Sequence, residues 1–130
     1  MHTRRRDSYK DLVLWRKSMD LAVAVHRLGS ELPRTEKFGL VTQLHRSAVS
    51  VPSNVAEGSA RRTTREFIAF LHIARGSLAE LETQLLLARR VGYLGVEAAP
   101  EIDALIVEVG RLLNAVIAGL RRRLETSSGP

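Results

Sequence analysis

The sequence predicts an all-α protein, an antiparallel up-down-up-down four-helix bundle with its second helix kinked near Pro52. Three observations predict it. Apolar residues recur at steps of three and four through four separate stretches, prolines and glycines punctuate the chain between them, and no stretch alternates apolar with polar residues as a strand does. With 45% hydrophobic and 26% charged residues in 130, the chain can bury a core, and its length suits one domain over residues 1–130. About residues 8–125 are expected to be ordered and both ends loose.

The first segment runs from about Ser8 to Ser30. Its apolar positions Leu14, Leu21, Val25, Leu28 and Leu32 are spaced 7, 4, 3 and 4, and Trp15, Met19 and Ala22 widen the stripe. Pro33, Arg34 and Thr35 make a turn. The second segment, from about Glu36 to Ala60, carries Val41, Leu44, Ala48, Val51 and Val55 at steps of 3, 4, 3 and 4. Pro52 lies inside it, where a missing N–H and a ring clash predict a kinked helix or two short ones meeting near Ser50.

The third segment has the strongest period: Phe67, Leu71, Ala74, Leu78, Leu81, Leu85 and Ala88 keep the 4, 3 alternation without a miss, which marks a packing seam. Thr63 or Thr64 can cap its start, Glu66 is placed to reach back to an early backbone N–H, and Gly92 and Gly95 punctuate its end. The fourth segment begins near Ala98 with Pro100 in its first turn. It presents a wide apolar face through Ile102, Leu105, Ile106, Val109, Leu112, Leu113, Val116, Ile117 and Leu120. Glu97, Glu101 and Asp103 at its start and Arg121, Arg122 and Arg123 at its end follow the order that the helix dipole favours. The tail from Thr126 to Pro130 reads as loose. Four such helices joined by short connections fit an up-down bundle.

Composition excludes several functions. No cysteine is present, so disulfides, thiol nucleophiles and thiolate metal sites are ruled out. No apolar run reaches membrane-spanning length and no hydrophobic stretch follows the basic start, so a cytoplasmic protein with no membrane partner is expected. A carboxylate-bridged metal site in a bundle needs Glu-x-x-His, and His26, His45 and His72 have no glutamate three residues before them; His2 lies in the loose start. Arg75-Gly76-Ser77-Leu78-Ala79 is half of a nucleophile elbow, placed mid-helix, and phosphate-loop and dinucleotide motifs are missing. No catalytic residue, metal or cofactor is expected.

The net charge is +6, and 17 of the 20 cationic side chains are arginine, whose planar fork can hold two phosphate oxygens at once. They cluster at Arg4, Arg5 and Arg6 with Lys10, at Arg61, Arg62 and Arg65, at Arg89 and Arg90, and at Arg121, Arg122 and Arg123. In an up-down bundle the second helix ends, the third begins and the fourth ends at one pole. Arg61, Arg62, Arg65, Arg121, Arg122 and Arg123 should therefore share it, either as a nucleic-acid-binding surface or, for the terminal arginines, as complements to the helix dipole.

Other polar residues have ordinary roles available. Ser50, Ser53, Asn54 and Glu57 can satisfy backbone groups freed at Pro52, with Glu57 pairing Arg46 or Arg61. Glu80 and Glu82 flank the seam residue Leu81 as a solvated face partnered by Arg75 or Arg89, or as a subunit contact. Ile73, Leu86 and Leu87 lie off the seam and Phe70 at its margin; this apolar area marks an oligomer interface.

These residues bring a resemblance. Phe38-Gly39-Leu40, Gln43-Leu44, Arg46-Ser47-Ala48 and above all Ser50-Val51-Pro52-Ser53-Asn54-Val55-Ala56-Glu57-Gly58 look like the signature of the bacterial four-helix bundle proteins encoded by intervening sequences in large-subunit ribosomal RNA genes. Glu66-Phe67, Phe70-Leu71, Ala74-Arg75-Gly76-Ser77 and Leu78-Ala79-Glu80-Leu81-Glu82-Thr83-Gln84 resemble that family's second block, and Leu12 with Trp15 its opening. Ser50, Pro52, Asn54, Glu57, Gly58, Glu80 and Glu82 are the motif residues. The match covers about Tyr9 to Leu120.

The resemblance implies a bundle fold, assembly into rings typically of five, and no enzymatic activity. More distantly, the chain is similar to the accessory variability proteins of diversity-generating retroelements, basic pentamers that bind RNA or DNA and partner a reverse transcriptase. The expectation is a non-enzymatic homopentamer, with about +30 on one ring, that binds RNA or DNA through arginine. The alternative is a protein-interaction or assembly scaffold with no nucleic-acid role.

Overall fold

The computed structural model describes residues 9–127. Arg4, Arg5 and Arg6, and the looseness expected of the extreme ends, lie outside the described residues. Four helices account for most of the rest: α1 (Val13–Leu28), α2 (Leu40–Ser59), α3 (Thr64–Arg90) and α4 (Pro100–Ser127). Each packs on its neighbours in the chain, and α1 and α4 close the ring. Paired side chains give the directions. His26 stacks on His45 across α1–α2 at 4.9 Å, and Trp15 shares a groove with Ala56. Ser47 meets Gln84 and Ser50 meets Ser77 across α2–α3; Arg89 meets Asp103 and Arg75 meets Asn114 across α3–α4. Successive helices in these pairs run antiparallel.

The core is the stripe read from periodicity. Leu14, Leu21, Val25 and Leu28 of α1, Leu44, Ala48, Val51 and Val55 of α2, Leu71 through Ala88 at seam positions of α3, and Ile102, Val109, Leu113 and Ile117 of α4 are all buried. Met19, Val41 and Phe67 depart from it: Met19 is exposed, and Val41 and Phe67 are half-buried at the stripe's edge.

Helix ends differ from the expected ones for local reasons. Residues Tyr9–Asp11 form a 3-10 turn and Leu12 is extended, so α1 starts at Val13 rather than near Ser8; after Leu28 the chain tightens into a second 3-10 turn, Gly29–Glu31. The second helix starts at Leu40 rather than Glu36, because Arg34–Glu36 is a 3-10 turn and Gly39 takes a non-helical φ of −114° and ψ of −106°. Glu36 caps it from outside: its Oε1 accepts the Leu40 N–H at 3.1 Å, and its Oε2 accepts the Tyr93 hydroxyl at 3.0 Å. That hydrogen bond and the Glu36 charge hold the Tyr93 phenol above its ordinary range.

Two short helices meeting near Ser50 are not what forms. The helix α2 is continuous from Leu40 to Ser59 through a buried Pro52. Proline removes the donor for the Ala48 carbonyl, and the next turn is reinforced instead, with Asn54 Nδ2 donating to the Ser50 carbonyl at 2.8 Å and to Ser50 Oγ at 3.0 Å. At the start of α3, Thr63 is the cap and its Oγ1 accepts the Glu66 N–H at 3.1 Å. The Glu66 carboxylate does not reach back to the backbone; it accepts the Thr63 hydroxyl at 2.9 Å. Gly92 leaves α3 with a φ of +86°, a left-handed conformation that glycine adopts without strain. Thr126 and Ser127 continue α4, so the expected loose tail does not begin at Thr126; its hydroxyl donates to the Arg123 carbonyl, tying down the last turn.

Candidate nucleic-acid interface

The register of the helices puts the end of α2, the start of α3 and the end of α4 at one pole. Of the six arginines expected there, Arg65 and Arg121 are brought together. They line an open cavity of about 580 Å³ with Ile68, Leu124 and Glu125. Arg62, Arg122 and Arg123 are exposed, and none of them is paired among the described residues. Arg61 is engaged otherwise: its Nη2 donates to Glu57 Oε2 at 2.8 Å, and its guanidinium lies 4.8 Å from the Phe70 ring centroid. A guanidinium held by a carboxylate one turn back offers less charge to a phosphate than a free one.

The pole extends along the α3–α4 groove through residues that charge runs alone do not pick out. Arg121 Nη2 stands 3.0 Å from His72 Nε2, and Arg75 Nη2 stands 3.0 Å from His72 Nδ1. Arg75 also donates from Nη1 to Asn114 Oδ1 at 2.9 Å. Desolvation, then the charges of Arg75 and Arg121, hold the His72 imidazole below its ordinary value, which favours the neutral ring. A neutral imidazole has one acceptor nitrogen and one N–H. It can therefore accept from one of the two guanidinium groups and not from both. The signal was present in the chain as the spacing Arg65, Ile68, His72, Arg75, which shares one helical face, but His72 reads as isolated until α4 supplies Arg121.

Arg89 belongs to the fold rather than to the surface cluster in which its position next to Arg90 had set it. Its two Nη atoms donate to Asp103 Oδ1 at 3.0 Å and Oδ2 at 2.9 Å, and Nη2 also donates to the Ala98 carbonyl at 2.8 Å. This fork pins the α3–α4 connection to the first turn of α4, with its side chain only 11% exposed.

The motif residues resolve into packing. Ser50 Oγ bonds Ser77 Oγ at 2.7 Å, Ser47 Oγ donates to Gln84 Oε1 at 2.7 Å, and Gly58 lies against Phe67 and Phe70. Pro52 faces the other way, into an apolar groove with Trp15, Met19, Val49 and Ala56. Glu57 pairs with Arg61, one of the two arginines expected for it. Glu80 and Glu82 are exposed and pair with neither Arg75 nor Arg89, because those side chains bond Asn114, His72 and Asp103 instead.

Among the apolar residues set aside for association, Ile73, Leu86 and Leu87 are each about half exposed, whereas Phe70 is half-buried beneath Arg61. At about 100° per residue, Ile73 and Leu87 lie within about 40° of each other on α3, and Leu86 lies about 100° from Leu87. They flank two edges of the outer α3 face rather than forming one patch. Among the described residues, no helix is long and apolar enough to cross a membrane, and no three histidine or carboxylate side chains gather as metal ligands.

These features describe a small, basic, four-helix protein whose polar motif joins α2 to α3 and whose Arg65 and Arg121 meet where α3 begins and α4 ends. The chain belongs to the 23S rRNA-intervening sequence protein family, whose sequence model matches residues 10–115. It is similar to a solved structure from Bacteroides thetaiotaomicron, described as a protein with unknown function from the S23 ribosomal protein family. The two share 29% identity and a TM-score of 0.74 over 81% of this chain and 98% of that one. A comparison with curated proteins finds no match.

Proposed function

We propose that this protein is a non-enzymatic, self-associating bundle, a homopentamer by family resemblance, that binds RNA or DNA phosphates in the cytoplasm through its arginine pole. The observation that carries this reading is the meeting of Arg65 and Arg121 at one open cavity, with the exposed Arg62, Arg122 and Arg123 on the same pole. Phosphate contacts from arginine give affinity without sequence preference, and repetition around a ring multiplies them. Ile73 and Leu87, half exposed on one edge of α3, and Leu86 on the other leave apolar area that a second copy or, in the second reading, a protein partner would cover.

The test is an anisotropy titration of a labelled, structured RNA and a matched DNA duplex at two salt concentrations. Binding that weakens steeply with salt is expected, with a slope of about 0.9 per phosphate engaged on duplex DNA. No binding at low salt would overturn the nucleic-acid reading in favour of the scaffold.

A further inference from the structure

The cavity at the pole has a composition that plain backbone binding does not require. It is lined by two cationic side chains, Arg65 and Arg121, two half-buried apolar ones, Ile68 and Leu124, and the exposed Glu125. Its volume of about 580 Å³ falls within the range of small-molecule sites. The neighbouring His72 can accept from only one of Arg75 and Arg121, so guanidinium N–H groups remain for an incoming anion. Arg65 and Arg121 against Glu125 leave one net positive charge on the lining, and Arg75 adds a second from beyond His72. An internal phosphodiester carries one negative charge, whereas a phosphomonoester carries about 1.5 to 2 near neutral pH.

Resting on the nucleic-acid reading above, we infer that this cavity binds a nucleotide bearing a terminal phosphomonoester. Arg65 and Arg121 hold the phosphate, and Ile68 and Leu124 cover a face of the base or ribose. Glu125 can accept from a ribose hydroxyl or a base amino group but repels phosphate, so it orients the nucleotide with its phosphate toward the arginines. His72 stands beside Arg121, its Nε2 3.0 Å from the Arg121 Nη2. The ligand is either the end of a strand or a free mononucleotide, since both present the same chemistry.

The test uses the full chain and single-stranded RNA 12-mers of one sequence carrying a 5′-monophosphate, a 3′-monophosphate or hydroxyls at both ends, followed by anisotropy, with adenosine monophosphate titrated separately by calorimetry. A phosphorylated strand is expected to bind about tenfold more tightly than the hydroxyl strand, the scale of one added charge-assisted contact. Arg65→Gln and Arg121→Gln should each erase that preference, and Arg62→Gln should weaken all strands alike while keeping it. Circular dichroism checks that each variant is folded, which is expected because all three positions are exposed. Equal, salt-sensitive affinity for the three strands overturns the cavity assignment and leaves the proposed function standing. Binding of adenosine monophosphate with no strand binding keeps the site and overturns the nucleic-acid reading. Binding of none of them overturns both.

Discussion

Gly58 and Phe70 approach each other so closely that a Cβ built on Gly58 would lie 2.7 Å from the Phe70 Cβ and 3.0 Å from Phe67 Cδ1. The final turn of α2 thus lies directly on the first turns of α3, at the pole that carries the arginines. Further along, Ser50 with Ser77 and Ser47 with Gln84 continue the same seam with hydrogen bonds between short side chains. The polar and small residues of the family motif are the means by which these two helices pack closely.

Gly58→Ala should therefore destabilise the protein by about 1 to 3 kcal/mol, the usual cost of overpacking, because the atom in the way is a Cβ tied to a helix backbone. Urea denaturation would show it as a lower midpoint with an unchanged slope. A variant as stable as the parent would mean that α2 and α3 separate freely here.

Core and surface positions on α3 should part cleanly. Leu81 is fully buried, and Leu81→Asp places an unpaired charge in the seam at a cost of several kcal/mol against a typical total of about 5 to 15, so circular dichroism should show loss of the fold. Leu86 is 51% exposed, and Leu86→Asp should leave helicity intact while light scattering reports smaller particles. If both variants unfold, or both keep the parent's size, Leu86 does not belong to an interface.

Acid should weaken the α3–α4 groove through His72. Its folded value is lowered below the ordinary 6.5, by desolvation first and then by Arg75 and Arg121, so the unfolded chain takes up the proton more readily. The contribution of the neutral ring is present above about pH 6.5 and is lost as pH falls through the folded value. Thermal midpoints should drop less between about pH 7 and pH 5 in His72→Gln than in the parent; identical drops would show that other groups carry the acid sensitivity.

Arg89 and Arg90 are neighbours with different duties. Arg89→Ala removes three charge-assisted hydrogen bonds that hold Asp103 and the Ala98 carbonyl, and should cost about 1 to 3 kcal/mol in chemical denaturation. Arg90 is exposed, and Arg90→Ala should stay within about 0.5 kcal/mol of the parent.

Replacing Arg121, Arg122 and Arg123 together by alanine should lower nucleic-acid affinity and flatten the dependence of log K on log salt. An unchanged slope would remove these residues from the contact.

Much of the fold was legible in the chain because it rests on local periodicity. Steps of three and four along α3 select Leu71, Ala74, Leu78, Leu81, Leu85 and Ala88, and all six are buried. The Thr63 cap and the left-handed Gly92 follow equally from local backbone needs. Helix starts were harder to place, because α2 begins where Glu36, outside the helix, can bond both Leu40 and Tyr93, which lies 57 residues further on.

The candidate site divides in the same way. The order of neighbouring residues encodes four amphipathic helices, most residues of the core, the basic clusters and the family motif. Which arginines are free to bind a ligand depends on packing between helices: Arg89 binds Asp103, Arg61 stacks on Phe70, and Arg121 meets His72 and Arg65 from another helix. A side chain's charge is fixed by its type, but what that charge can bind depends on which partners the packed helices bring within hydrogen-bond reach.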